Sequence, residues 1–167
     1  MSQGAPPEPL GVSADEQQMI ARSKVLVVDD NPQNLELLVA YLESLGCQVL
    51  TAVDGLEALE KVRTETPDLV LLDVMMPRMS GFEVCRKLKS DPASREIPII
   101  MVTALNELGD IQRGVESGTD DFITKPVNRL ELTTRVRTLL RVRHLKNELE
   151  RTLQYLSELE ARPEQQA

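Results

Sequence analysis

Lys24–Val28 (KVLVV) and Asp68–Leu72 (DLVLL) decide the fold. Both are short apolar runs without a polar interruption. A strand with one wet face alternates apolar and polar residues. An unbroken run is expected for a strand buried on both faces, as in a parallel sheet covered by helices. Reading outward from the first run, Asn31-Pro32 can cap and start a helix. Leu35, Leu38, Val39, Leu42 and Leu45 keep one face of it, and Gly46 ends it. Gln48–Ala52 reads as a second strand, and Asp54 caps a helix that turns Ala58, Leu59 and Val62 inward. Past the run at 68–72 comes a loop, DVMMPRMSG (Asp73–Gly81), then a helix marked by Phe82, Cys85 and Leu88. Ile97–Val102 (IPIIMV) is a fourth strand, with Pro98 confined to its start. Asn106–Ser117 reads as a helix with Ile111 and Val115 inward, and Asp121–Thr124 as a fifth strand. From Asn128 a helical pattern runs to about Glu160. Strands alternating with helices predict an α/β fold, a parallel sheet and right-handed crossovers.

Composition excludes several classes. The 167 residues carry 19 Lys and Arg against 27 Asp and Glu, a formal net charge of −8, with no Trp, two Tyr and two Phe. That chain has neither the cationic excess nor the stacking aromatics that nucleic acid demands. No apolar run approaches the roughly 20 residues of a membrane span. The opening MSQGAPPEPLGVSADEQQ lacks a basic start and an apolar core, so a cytoplasmic protein is the expectation. Cys47 and Cys85 have no C-x-x-C spacing and read as small buried hydrophobes. His144 has no partner at ligand spacing and reads as a surface residue, not a zinc ligand.

In parallel α/β sheets, ligands bind at the carboxyl ends of the strands. Here Asp29 and Asp30 follow the first strand, Asp73 the third, Thr103 the fourth and Lys125 the fifth. A parallel sheet brings all five to one edge. Crowded carboxylates repel and raise one another's pKa, and a hard divalent cation such as Mg²⁺ removes that penalty. Lys125 adds a compact positive charge for a phosphate and Thr103 a hydroxyl donor. The set is equipped to make and hold an aspartyl phosphate, with a carboxylate as nucleophile. Any one strand-end Asp alone would read as a turn or helix cap.

VLVVDDN, LVLLDVMMPRMSG, IPIIMVTA and GTDDFITKP, in this order, strongly resemble the CheY-like receiver domains of bacterial two-component response regulators over residues 23 to 142. The resemblance implies a flavodoxin-like (βα)5 doubly wound sheet of order 2-1-3-4-5. It implies that Asp73 is the phosphoacceptor, that Asp29 and Asp30 are the acidic pair, and that the Met75 main-chain carbonyl is a further Mg²⁺ ligand. Thr103 resembles the switch hydroxyl, Lys125 the lysine that meets the phosphoryl group, and Phe122 the switch aromatic. The implied donor is a sensor histidine kinase or phosphotransfer protein, with acetyl phosphate as a substitute. Such a receiver is not a dedicated enzyme. A phosphatase of the haloacid-dehalogenase type would need a second Asp two residues after its nucleophile, where this chain has Met75. A receiver-shaped adaptor indifferent to phosphate would be expected to lose an acidic or lysine position, and none is lost.

The expected division is a flexible leader over 1–22 with one short helix near Asp15–Arg22, a receiver over 23–142, a coiled-coil extension over 143–160 and a disordered tail over 161–167. Val142, Leu145, Leu149, Thr152, Leu156 and Leu159 follow the a and d spacing of a coiled coil, which predicts a homodimer through the last helix. No output motif follows, so the expected target is a partner or attached output domain.

Overall fold

The computed structural model describes residues 13–104 and 108–162. Its five strands, β1 (Lys24–Val28), β2 (Gln48–Ala52), β3 (Leu69–Asp73), β4 (Ile99–Thr103) and β5 (Asp121–Thr124), form one parallel sheet in the order β2-β1-β3-β4-β5. Helices α1 (Ala14–Arg22), α2 (Pro32–Leu45), α3 (Gly55–Glu65), α4 (Gly81–Ser90), α5 (Leu108–Ser117) and α6 (Arg129–Ala161) complete the chain. The expected flavodoxin-like (βα)5 sheet and strand order are present.

The unbroken runs are buried on both faces, as their composition demands. Leu26, Val28, Val70, Leu72, Ile99 and Met101 face a core shared with α3 and α4. The alternating positions, among them Val25, Val27, Leu69, Leu71, Ile100 and Val102, face a second core with Ile20, Leu38, Leu42, Leu132, Val136 and Leu140. Helix starts are fixed locally. Asn31 accepts from the N–H of Gln33 (2.9 Å) and Asn34 (3.2 Å), Asp54 from that of Glu57 (2.8 Å) and Asn128 from that of Glu131 (3.0 Å). The Lys125–Pro126 peptide is cis.

Three expectations need correction. Pro98 and Ile97 stand before β4, not in it. Proline has no N–H to give the ladder, and here only its carbonyl is used, accepting from Val70 (3.0 Å). Ile111 and Val115 do not point inward: they are 43% and 62% exposed. The ring of Phe122 lies where a Cβ on Gly114 would have to be, so Gly114 and Ser117 take the inner face of α5. The expected start of that helix at Asn106 lies outside the described residues. Finally, the packed body begins before residue 23. α1 buries Ile20 in the second core, and Glu16 of α1 pairs with Arg141 of α6 at 2.6 Å.

α6 is 33 residues long, roughly 50 Å. Leu132, Val136 and Leu140 are buried, whereas Val142, Leu145, Leu149 and Leu156 are each about half exposed. Among the described residues no helix is long and apolar enough to cross a membrane.

Candidate functional site

Strand register assembles the site. Asp73 pairs with Val102 across β3 and β4, and Thr103 with Thr124 across β4 and β5, so Asp73, Thr103 and Lys125 follow one another along the carboxyl edge. Asp29 is the first residue after β1, and its N–H donates to the Ala52 carbonyl at 3.1 Å. The carboxylate oxygens of Asp29, Asp30 and Asp73 lie within 4.8 Å of one another. Asp29 and Asp73 are buried and Asp30 is exposed.

Lys125 Nζ reaches both buried acids, at 3.4 Å from Asp29 Oδ2 and 3.3 Å from Asp73 Oδ1. One ammonium therefore serves two buried carboxylates, with the exposed Asp30 beside them. Burial is the main cause that pushes the Asp73 carboxyl above its ordinary value, and the Asp29 charge adds to it. The Lys125 ammonium opposes both without cancelling them. Among the described residues, two backbone donors add to it. The Met75 N–H lies 3.4 Å from Asp73 Oδ1, and the Asn31 N–H donates to Asp29 Oδ1 at 2.9 Å. This carboxyl edge has more negative charge than its own donors offset. A divalent cation fits that deficit, and three hard oxygen donors suit Mg²⁺.

Thr103 is buried beside this edge, and its carbonyl accepts the Lys125 N–H at 2.8 Å. Phe122 is placed differently from the acids. Two strand positions earlier, it is half-buried and packs into the first core and against Gly114 of α5. Gly81 closes the loop after Asp73. A Cβ there would meet the Asp73 carbonyl, and its N–H donates to Val74 (2.9 Å), so the chain turns directly beneath the site.

Cys47 and Cys85 are free and buried, and burial pushes the Cys47 thiol up to about 11. His144 is exposed and sits 3.2 Å from Glu148 on the same helix. Sequence reading missed Asp121, whose carboxylate takes both bonds from Arg135 Nη1 at 2.9 and 2.7 Å and ties β5 to α6. It also missed Glu16, Asp68 and Glu96, which meet Arg141, Arg143 and Lys146 at the root of the extension. No local spacing signals these pairs, because 14 to 125 residues separate the partners.

The model of the response regulator receiver domain matches residues 25–137. The chain belongs to the response regulator receiver family. Response regulator PleD of Caulobacter vibrioides is 49% identical to this receiver over 127 residues, 76% of this chain and 28% of that protein. The receiver domain of a signal transduction histidine kinase from Syntrophus aciditrophicus is 40% identical, with a TM-score of 0.68, covering 71% of this chain and 90% of that one. The receiver domain of the Pseudomonas aeruginosa sensor histidine kinase PA1611 is 30% identical, with a TM-score of 0.67, over 71% of this chain and 98% of that one. Its structure has a magnesium ion coordinated in the active site cleft. This receiver spans between about a quarter and a half of the length of the curated relatives it matches first.

Proposed function

We propose that this receiver is a phosphorylation-controlled switch with Asp73 as its phosphoacceptor. The observation that carries the reading is the buried, under-compensated Asp73 carboxylate beside Asp29, Asp30 and Lys125. A carboxylate oxygen of Asp73 attacks the phosphorus of a phosphohistidine on a sensor histidine kinase or phosphotransfer protein. The P–N bond breaks and the imidazole leaves with a proton. Asp29, Asp30, Asp73 and the Met75 carbonyl would hold Mg²⁺, which when bound neutralises charge on the transferring group. Lys125 leaves its present partners to meet the new phosphoryl oxygens. Thr103 donates its hydroxyl to the same group, and Phe122 repacks against α5 as the switch aromatic. The receiver takes and loses a phosphoryl group but is not a dedicated enzyme, and it works in the cytoplasm.

The receiver proper covers 23–142 with α1 packed onto it, 143–160 is a coiled-coil stalk that joins two copies, and 161–167 is a flanking segment. The exposed apolar positions on α6 support the stalk, and the greater length of the relatives supports an output domain or partner beyond it.

The test is labelling by acetyl phosphate. We expect labelling with Mg²⁺, none in EDTA and none in Asp73→Asn. Labelling that persists in the variant would remove Asp73 from this role.

A further inference from the structure

The exposed half of α6 carries more apolar surface than one coiled-coil seam uses. Val142, Leu145, Leu149, Leu153, Leu156 and Leu159 are all between 41% and 59% exposed. Five of them, with Thr152, fit a seven-residue repeat. Leu153 stands beside that seam. If Leu153 replaces Thr152, the spacing from Val142 to Leu156 becomes three, four, four, three, and Val142 and Leu153 are eleven residues apart. A seven-residue repeat coils to the left, and an eleven-residue repeat coils to the right.

The two registers are closely matched. Each seats five apolar side chains: the first gains Leu159 and accepts Thr152, the second gains Leu153 and ends against Glu160. The Thr152 hydroxyl donates to the Glu148 carbonyl at 3.0 Å, so it brings no unpaired donor into the first seam. The choice also begins where the helix becomes free. Arg141, Arg143 and Lys146 are tied to Glu16, Asp68 and Glu96. Among the described residues, the side-chain hydrogen bonds and ion pairs of α6 beyond Lys146 stay within the helix.

The occupant of this face is a second copy of the chain. In a parallel pair each seam residue meets its own copy at the same height, so each apolar residue meets an apolar one along the whole seam. Such a pair sets Arg141 of one copy beside Lys146 of the other. Each of these cations already has a carboxylate in its own copy, Glu16 or Glu96, which offsets the like-charge opposition.

We infer that two copies of α6 associate in either of two registers, seating Thr152 or Leu153, and that phosphorylation of Asp73 shifts the balance between them. The inference rests on the reading of α6 as a dimer stalk. The coupling is short: α6 begins four residues after Lys125, so a shift of the end of β5 toward a phosphoryl group acts directly on its first turn. A small bias suffices, because a shift between nearly equal states needs only a few-fold difference in stability.

The test is disulfide trapping with Thr152→Cys and Leu153→Cys in the full chain, where Cys47 and Cys85 are buried. Both variants should cross-link between copies, and acetyl phosphate with Mg²⁺ should change the ratio of their yields about threefold or more. Leu153→Gln should stay dimeric and leave the Thr152→Cys cross-link indifferent to acetyl phosphate. Cross-linking at position 152 alone, or a ratio that does not move, overturns the two-register inference while sedimentation still shows a dimer. A monomer by sedimentation overturns the stalk and this inference together.

Discussion

The two edges of the sheet solve their electrostatics in opposite ways. At the carboxyl edge, Asp29, Asp30 and Asp73 crowd within 4.8 Å, and the two buried ones, Asp29 and Asp73, share Lys125 as their cation. At the amino edge, Glu16, Asp68 and Glu96 meet Arg141, Arg143 and Lys146 one to one and near solvent. The first edge stores unfavourable charge that a cation can relieve. At the second, each acid has a cation within 4 Å, and exposed pairs of this kind contribute little each. The contrast separates a chemical end of the domain from a mechanical one. The chemistry proposed for Asp73 sits where carboxylates outnumber cations, and the mounting of α6 sits where each acid has a cation beside it.

Removing a carboxylate from each edge should break the symmetry of effect. Asp29→Asn should lower the rate of labelling by acetyl phosphate about 100-fold or more, equivalent to about 2.7 kcal/mol. Glu96→Gln should leave that rate within about twofold. Comparable losses from both, read by phosphoprotein gel, would erase the distinction.

Stability gives the next largest difference. Asp73→Asn removes a buried charge whose folded pKa is raised, so without metal it should stabilise the domain by about 1 kcal/mol, a few degrees in Tm. The sign follows from linkage. In the wild type the folded state holds this proton more tightly than the unfolded state. Its favourable contribution is therefore complete below the ordinary carboxylate pKa and is lost as pH rises through the folded value. The Tm advantage of Asp73→Asn should be small in acid and grow with pH to a plateau. An advantage that shrinks as pH rises would show that the carboxylate is stabilised where it stands.

The smallest effect belongs to the amino edge. Arg141→Gln breaks the pair with Glu16, whose side chains are 52% and 15% exposed, and should destabilise by under about 1 kcal/mol, less still in high salt. A larger loss in thermal denaturation would mean that the collar around α6 is structural, not a mount.

How legible each edge was in the sequence follows from the same physics. The carboxyl edge was readable because each residue there ends an apolar strand, and parallel strands bring their ends together whatever the distance along the chain. Asp29, Asp73, Thr103 and Lys125 therefore announced themselves. The amino edge was opaque because its pairs join α1, two turns and the far end of α6, and nothing local distinguishes Glu16 or Glu96 from other surface acids. α5 misled for a third reason. Its apolar periodicity placed Ile111 and Val115 inward, but the ring of Phe122 claims the space at Gly114 and turns both residues outward. Leu153 was passed over because a seven-residue repeat fitted without it.

The most direct measurement of the central claim, that the carboxyl edge holds a charge deficit made for a cation, is the Tm of the intact chain against Mg²⁺ concentration. A ligand that binds only the folded state raises stability with the logarithm of its concentration above Kd. Wild type should rise steadily with Mg²⁺, Glu96→Gln should rise equally, and Asp29→Asn should stay nearly flat. A flat wild-type curve, or an equal rise in Asp29→Asn, would contradict the account.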